Sequence, residues 1–126
     1  MAQFVKFSVP KELAEKQLGI IEKVKKTGKL RIGSNEVTKA IERGTAKLVF
    51  IAEDVSPPEI VMHIPILCTE KNVPFSYVST KKELGEKLGL KASASSVAIV
   101  NEGASKKEIE DLAKKLSELK SPEPKK

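Results

Sequence analysis

The stretch "KLVFIA", residues 47–52, decides the fold. One lysine is followed by five consecutive apolar residues, and the acidic residues Glu53 and Asp54 come next. A strand with one wet face alternates apolar and polar residues, whereas a short continuous apolar run is typical of a strand that is buried on both faces. This run therefore predicts a central strand with a layer of structure packed on each side.

Other short apolar runs flank this strand, and they alternate with segments that have helical periodicity. The predicted strands are 30–32, 47–52, 74–79 and 95–100, and the predicted helices are 11–26, 35–43, 57–71, 80–88 and 105–119. This alternation predicts an α/β protein, a three-layer α/β/α sandwich around a mixed sheet of about four strands. The length fits one domain over residues 1–119, and we expect the polar end "SPEPKK" to leave residues 120–126 as a disordered tail.

Several helix ends have recognisable signals. Three predicted helices open with a capping box, in which a serine or threonine precedes a glutamate by three residues: "SPPE" (56–59), "TKKE" (80–83) and "SKKE" (105–108). Helix 35–43 differs. With Ser34 as its expected N-cap, Glu36 becomes the second helical residue and cannot complete such a box. Pro65 is expected to kink helix 57–71.

The positive charge is concentrated in the first part of the chain. Residues 1–50 contain 11 Lys and Arg against 5 Asp and Glu, whereas residues 51–126 contain 12 of each. The formal charge of +6 therefore comes from the first 50 residues, mostly between Lys23 and Lys47. One-sided positive charge predicts a polyanionic partner, with a solubilising surface as the alternative.

Within this basic stretch, "RIGSNEVTKAIERG" (31–44) keeps Glu36 beside Asn35, with Lys39 and Arg43 further along the same helix. One interpretation is structural, because a glutamate near a helix start gains roughly 0.3–1 kcal/mol from the helix dipole. The other is recognition of a guanine edge. Asn35 and Lys39 can donate to O6 and N7, and Glu36 can only accept, as it would from an N1–H or N2–H that a non-Watson–Crick pair leaves free.

At these residues the sequence resembles a known family. The stretch "IGSNEVTKAIERGTAKLVFIAEDVSPPEIVMHIPILCTEKNVPFSYV" (32–78), followed by "KKELG" (81–85) and "GLKASASSVAIV" (89–100), is similar to the archaeal branch of the L-seven-Ae family of large-subunit ribosomal proteins. The resemblance covers about residues 5–118. It implies an α/β/α sandwich that binds kink-turns, RNA motifs with tandem sheared G·A pairs beside a three-nucleotide bulge.

The resemblance also implies which residues contact RNA. The guanine readers fall on Asn35, Glu36 and Lys39, Gly33 allows close approach of the backbone, and Arg31 and Arg43 match flanking positions that contact the RNA backbone. Ile60 matches part of the pocket for a bulge nucleotide, and Lys81 matches a basic residue that contacts RNA. The loop that covers the bulge nucleotides matches Leu90, Lys91, Ala92 and Ser93. Without the resemblance, each of these positions has a plainer interpretation. Ile60 packs in the core, residues 90–93 form a flexible loop, and Lys81 is a solvated side chain.

Two positions depart from the eukaryotic spliceosomal relative. Ser56 stands where that relative has a glutamate in the bulge pocket, and Ala92 stands where it has an arginine in the loop. Both residues fit the archaeal branch. They imply a smoother surface that accepts varied RNAs, without direct polar readout of the flipped base.

Other classes of function lack their signals in this sequence. His63 has no cysteine or histidine at metal-ligand spacing, so we expect no metal site, and we expect no cofactor because the glycine-rich phosphate and dinucleotide motifs are missing. The nucleophile-elbow motif of hydrolases is missing too, and no tryptophan offers a stacking platform. Without an apolar run long enough for a membrane span or a signal peptide, and with Cys68 expected to be a buried thiol, we expect a cytoplasmic location.

The sequence thus predicts a non-enzymatic RNA-binding protein, a monomer when free. The partners implied by the resemblance are kink-turns in ribosomal RNA and in box C/D and H/ACA guide RNAs, ribonuclease P RNA, and ribonucleoprotein assembly proteins. Two alternatives stay open: a protein-only scaffold that uses helix 105–119, and a nucleotide-handling enzyme with Glu36 or Asp54 as base. Turnover that survives Glu36→Gln would favour the enzyme, and partner binding that survives loss of Asn35 and Lys39 would favour the scaffold.

Overall fold

The computed structural model describes residues 11–54, 62–78 and 80–120, with side chains placed over 15–54, 62–78 and 80–115. In chain order its elements are α1 (Lys11–Thr27), β1 (Lys29–Ile32), α2 (Ser34–Arg43), β2 (Leu48–Ala52), α3 (His63–Lys71), β3 (Phe75–Val78), α4 (Lys81–Lys87), β4 (Ser96–Asn101) and α5 (Lys106–Lys120), with a 3-10 helix, Gly103–Ser105, directly before α5.

The strands form one mixed sheet in the order β1-β4-β2-β3. β2 is parallel to β3 and antiparallel to β4, which is in turn antiparallel to β1. The mixed sheet of four strands is therefore confirmed. Every residue of β2 is buried, as the apolar run at 47–52 predicts. One consequence matters for the site: the C-terminal ends of β1, β2 and β3 meet the N-terminal end of β4 at a single edge of the sheet.

Helices cover the sheet in two groups. α1 contacts α4 and α5, whereas α2 contacts α3 and lies against β1 and β4. The buried Gln17 side chain fixes α1 on the sheet, because its amide nitrogen donates to the Tyr77 carbonyl at 2.9 Å and its amide oxygen accepts from the Ser76 hydroxyl. The core between the layers is aliphatic, with Phe75 and Tyr77 meeting edge to face at 6.0 Å between ring centroids.

The expected cap of α2 is wrong by one residue. The helix begins at Ser34, and its N-cap is Gly33, whose carbonyl accepts the first helical bond from the Val37 amide at 2.9 Å. Gly33 has φ 98° and ψ 152°, a conformation that is essentially restricted to glycine. The chain turns from β1 into α2 within this one residue, so Ser34 is already helical. Glu36 therefore becomes the third helical residue.

The other helix ends agree with the sequence only in part. Thr80 caps α4 as expected, since its hydroxyl accepts from the Glu83 amide at 3.0 Å. Ser105 is no cap, because the 3-10 helix begins the helical path two residues earlier. Pro65 is the third residue of α3, where the missing amide hydrogen leaves no bond of that helix unmade. The predicted kink of helix 57–71 stays a prediction, because the first part of that helix falls on residues 55–61, outside the described residues. Residues 55–61, with "SPPE", and the tail 121–126 lie outside the described residues.

Candidate functional site

An open groove of about 280 Å³ lies between α2 and the edge strand β1. α2 turns back beside β1, so the first turn of the helix and the end of the strand share one end of the groove. The lining residues are Lys29, Arg31, Glu36, Lys39, Ala40, Arg43, Thr45, Val100 and Asn101. The groove is thus basic, with four cationic side chains and one carboxylate.

The periodicity of α2 explains why its polar residues reach this groove. Val37, Ala40 and Ile41 are buried against the sheet. Residues three or four apart share a face of a helix, so Glu36, Lys39 and Arg43 follow one another along the opposite, exposed side. The same amphipathic helix that completes the core therefore presents the predicted readers to solvent.

Glu36 lies at the third helical position, where a glutamate could bond back to the cap amide. That bond is not formed, because the Gly33 amide donates to the Ser96 carbonyl at 2.9 Å. The exposed carboxylate forms no hydrogen bond or ion pair with any residue that the structure describes, although cations line the same groove. The carboxylate is therefore available to an external donor.

Hydrogen bonds gather the loop before β4 and the start of α4 at the same edge of the sheet. The Lys81 amide donates to Asp54 Oδ1 at 2.7 Å, and the Lys81 carbonyl accepts from the Ala94 amide at 3.1 Å. The Leu90 amide donates to the Gly85 carbonyl at 2.9 Å. Gly85 also makes room for the loop, since a Cβ there would collide with the Ala92 carbonyl. The loop 90–93 is consequently exposed yet fixed in place against α4.

A chain of two hydrogen bonds ties the first turn of α2 to α3. The Thr38 hydroxyl lies 2.7 Å from the Ser34 carbonyl and 2.8 Å from His63 Nε2. A carbonyl can only accept, so the single hydroxyl proton goes to Ser34, and His63 Nε2 must be the donor to Thr38. His63, the first residue of α3, therefore holds the start of α2 in place against α3.

Two carboxyl groups have shifted pKa values in opposite directions. Burial raises the pKa of Glu53, which follows β2, and the neighbouring Asp54 carboxylate raises it further. The hydrogen bond from Lys23 on α1 lowers the pKa of Glu108 on α5, with Nζ and Oε2 2.8 Å apart.

The predicted RNA-contacting residues thus fall at two neighbouring places. Arg31, Glu36, Lys39 and Arg43 line the groove, and the exposed Asn35 and the half-buried Gly33 lie beside it at the start of α2. Lys81 and the loop residues Leu90, Lys91, Ala92 and Ser93 lie along the edge where β2 and β3 end and β4 begins. Ile60 and Ser56 lie outside the described residues.

The sequence missed part of the groove lining. Lys29 could have been found, because it lies in the basic stretch two residues before Arg31 on a strand. Thr45 and Asn101 carry no sequence signal, since they reach the groove only through the pairing of β1 with β4. Among the residues with described side chains, no cluster of potential metal ligands occurs, and no described helix is both long and apolar enough to cross a bilayer.

Comparisons with known proteins agree with this architecture. A 15.5 kD RNA-binding protein of Giardia lamblia has the same fold with a TM-score of 0.88 and 26% sequence identity, over 94% of this chain and 99% of that one. The model of the ribosomal protein L7Ae/L30e/S12e/Gadd45 family matches residues 15–109, which is most of the chain. This protein belongs to the ribosomal protein L7Ae/L30e/S12e/Gadd45 family.

Proposed function

We propose that this protein binds RNA and recognises kink-turns through the tandem sheared G·A pairs. The observation that carries the proposal is the unpaired Glu36 carboxylate at the start of α2, in a groove lined by Lys29, Arg31, Lys39 and Arg43. Membership of the family and the likeness to an RNA-binding protein of Giardia lamblia support it.

In this proposal the first turn of α2 enters the groove of the RNA at the G·A pairs. Asn35 and Lys39 donate to the guanine O6 and N7 atoms, and Glu36 accepts from N1–H and N2–H. A helix N-terminus also presents free backbone N–H groups, which favour a nearby phosphate. Gly33 has no side chain, so the RNA can approach the backbone closely at this turn.

The cations of the groove and its carboxylate have different roles in this proposal: the cations provide affinity, and the carboxylate provides specificity. The lysines and arginines attract any nucleic acid backbone, and this attraction carries no sequence information. Glu36 repels a phosphate and is satisfied only by a donor, so it disfavours complexes in which no guanine edge is free. In a Watson–Crick duplex the N1–H is engaged in pairing, which leaves the carboxylate without its partner.

In this proposal the three-nucleotide bulge of the kink-turn lies against loop 90–93 and Lys81, at the edge of the sheet beside the groove. Loop 90–93 is built of exposed residues held against α4, and Lys81 adds a positive charge next to it. We assign this loop, with Ile60, to sheltering an extruded nucleotide. By binding the bent RNA more tightly than the extended form, the protein shifts the RNA population toward the bend.

The setting that fits this activity is ribonucleoprotein assembly in the cytoplasm. We propose a structural role in the large ribosomal subunit, and in box C/D and H/ACA guide-RNA particles and ribonuclease P, for a single domain over residues 1–119 that is monomeric when free. The proposed role is non-enzymatic and needs no cofactor, because recognition rests on side chains of the chain itself.

A gel-shift titration with two RNAs at one salt concentration tests the proposal. One RNA carries a kink-turn, and the other has both G·A pairs changed to Watson–Crick pairs. We expect tight binding to the first RNA only. Equal binding to both RNAs would mean that the groove senses phosphate alone, and the proposal would be wrong.

A further inference from the structure

β1, Lys29–Ile32, is an edge strand with an exposed backbone. It stands at the end of the strand order β1-β4-β2-β3, so β4 is its one neighbour among the described strands. Three of its residues are exposed and Leu30 is half-buried. Unpaired backbone groups along such a strand are a template for pairing with a strand of another chain. β1 is therefore a candidate surface for binding a protein segment.

The bonds to β4 determine which backbone groups of β1 are unpaired. The Gly33 amide donates to the Ser96 carbonyl at 2.9 Å. In an antiparallel pair, the backbone groups of successive residues point alternately toward the partner strand and away from it. Because Gly33 points toward β4, Arg31 does too, and the N–H and C=O groups of the residues between and before them, Ile32 and Leu30, point away from the sheet. These four groups form no hydrogen bond with any residue in the described ranges.

The side chains of β1 separate into a cationic face and an apolar face, as the alternation of a strand requires. Lys29 and Arg31 line the groove, on the side of α2. Leu30 and Ile32 lie on the opposite face, and Ile32 is 37% exposed although it is a large apolar residue. A strand added beside β1 would place its own alternate side chains next to these two sets.

The charge of β1 selects the kind of strand that can be added. A second copy of β1 would bring cations opposite cations, which is destabilising on neighbouring strands. The ends of this chain match no better. Residues 1–10 contain one lysine and no acidic residue, and residues 121–126 contain two lysines, one glutamate and two prolines, which cannot donate to a ladder. A strand that alternates acidic and apolar residues matches both faces of β1.

We infer that the free edge of β1 binds an extended segment of a partner protein in which acidic and apolar residues alternate. The segment adds a strand to the sheet, and its backbone bonds the outward groups of Leu30 and Ile32. Its acidic side chains pair with Lys29 and Arg31, and its apolar side chains cover Ile32. This inference goes beyond the proposed function and does not depend on it, because no step involves RNA.

Hydrogen exchange of individual backbone amides, followed by NMR, tests the inference. The probe is a short peptide with blocked termini that alternates glutamate and valine. The control peptide has the same composition, with all its glutamates before all its valines. The probe should slow exchange of the Leu30 and Ile32 amides several-fold, and the control should not. The Arg31 amide, which points toward β4, should exchange slowly with and without peptide.

Methylation of the peptide amides shows whether the peptide binds as a strand. Only one alternating set of amides in an added strand points toward β1. Methyl groups on one set, either the valine or the glutamate amides, should abolish protection of Leu30 and Ile32, and methyl groups on the other set should preserve it. Loss of protection with both sets, or with neither, would overturn the inference.

Variants of the protein test the same contact. Arg31→Glu should weaken binding of the glutamate–valine peptide several-fold and strengthen binding of a lysine–valine peptide. Lys114→Glu is the matched control, because Lys114 is an exposed lysine on α5, and it should change neither. Ile32→Pro removes an N–H that points away from the sheet, a change that an edge strand tolerates, so this variant should fold and lose the peptide.

Two results would contradict the inference outright. One is the absence of protection at Leu30 and Ile32 at about 1 mM peptide, where even weak specific binding is detectable. The other is protection of these amides by a kink-turn RNA and not by the peptide, which would assign the edge to the RNA interface. Failure of the proposed function is read separately, from the titration with the Watson–Crick RNA, which contains no peptide.

Discussion

The backbone amide of Gly33 donates to the carbonyl oxygen of Ser96 at 2.9 Å, which joins the start of α2 to the first residue of β4. This bond has two consequences. It fixes the predicted reader helix next to the loop that leads into β4, so both proposed contact regions share one rigid edge. It also occupies the amide that Glu36, at the third helical position, would otherwise bond, so the carboxylate stays available to RNA.

Gly33→Ala should destabilise the protein and displace the reader helix. A side chain at φ 98° and ψ 152° costs roughly 1–3 kcal/mol of folding free energy even though the space around it is open. Gly19→Ala is the control, since Gly19 is an exposed interior residue of α1 and alanine there should stabilise by about 0.5–1 kcal/mol. Urea unfolding gives the free energy of unfolding of each variant relative to wild type. Equal changes in the two variants would contradict a strained backbone at Gly33.

Glu36→Ala should lose specific binding although it makes the groove more positive. A groove that senses only phosphate would instead gain affinity from the lost negative charge.

Lys39→Ala should cost about 1–3 kcal/mol of binding free energy, because the proposal gives Lys39 a direct contact with a guanine base. Titration of both variants with the kink-turn RNA provides the comparison, and tighter binding by Glu36→Ala would count against guanine recognition.

Gly85→Ala should push loop 90–93 away from α4, because the new methyl group would collide with the Ala92 carbonyl backbone. Affinity for a kink-turn should fall, and affinity for an RNA that keeps the G·A pairs but lacks the bulge should change less. Binding of the variant to the two RNAs checks this. A loss of the same size on both would show that the loop does not cover the bulge.

The two shifted carboxyl groups should give opposite stability changes with pH. The pKa of Glu53 is raised above 4.5, so its contribution is present below that value and lost as pH rises through the folded pKa. The pKa of Glu108 is lowered, so its contribution is present above 4.5 and lost as pH falls through the folded pKa.

At about pH 7, Glu53→Gln should therefore raise the melting temperature and Glu108→Gln should lower it. Both differences should be smaller at about pH 3, because protonation of the wild-type carboxyl groups removes the charge on which each contribution depends. Calorimetric melting curves at the two pH values measure this. Shifts of the same sign at about pH 7 would contradict one of the two assignments.

The sheet could be predicted from the sequence because burial on both faces leaves a continuous apolar run, as in residues 47–52. The exposed polar side of α2 could be predicted because its buried residues follow helical periodicity. The predicted start of α2 is wrong by one residue. Ser34 is a favourable N-cap by local preference, but the chain turns at Gly33, and the Gly33 amide donates to the Ser96 carbonyl of β4. This tertiary contact makes Gly33 the cap.

Two residues that line the groove, Thr45 and Asn101, were beyond sequence reasoning for a similar reason. Asn101 reaches the groove because a bulge on β4 shifts its pairing with Lys29, and bulges of this kind leave no periodic signal. Ser105 resembles a cap in the sequence, yet it is the last residue of the 3-10 helix and its side chain is buried. Positions set by strand pairing, rather than by local preference, therefore had to come from the structure.

The central claim, that the Glu36 carboxylate accepts from a guanine N1–H, is tested most directly by a double-mutant cycle between protein and RNA. Wild type and Glu36→Ala are titrated against the kink-turn RNA and against the same RNA with N1-methylguanosine at the sheared pairs. The claim predicts that methylation weakens binding of the wild type strongly and binding of Glu36→Ala little. Equal loss in both proteins would contradict it and leave Glu36 as a residue of the helix start alone.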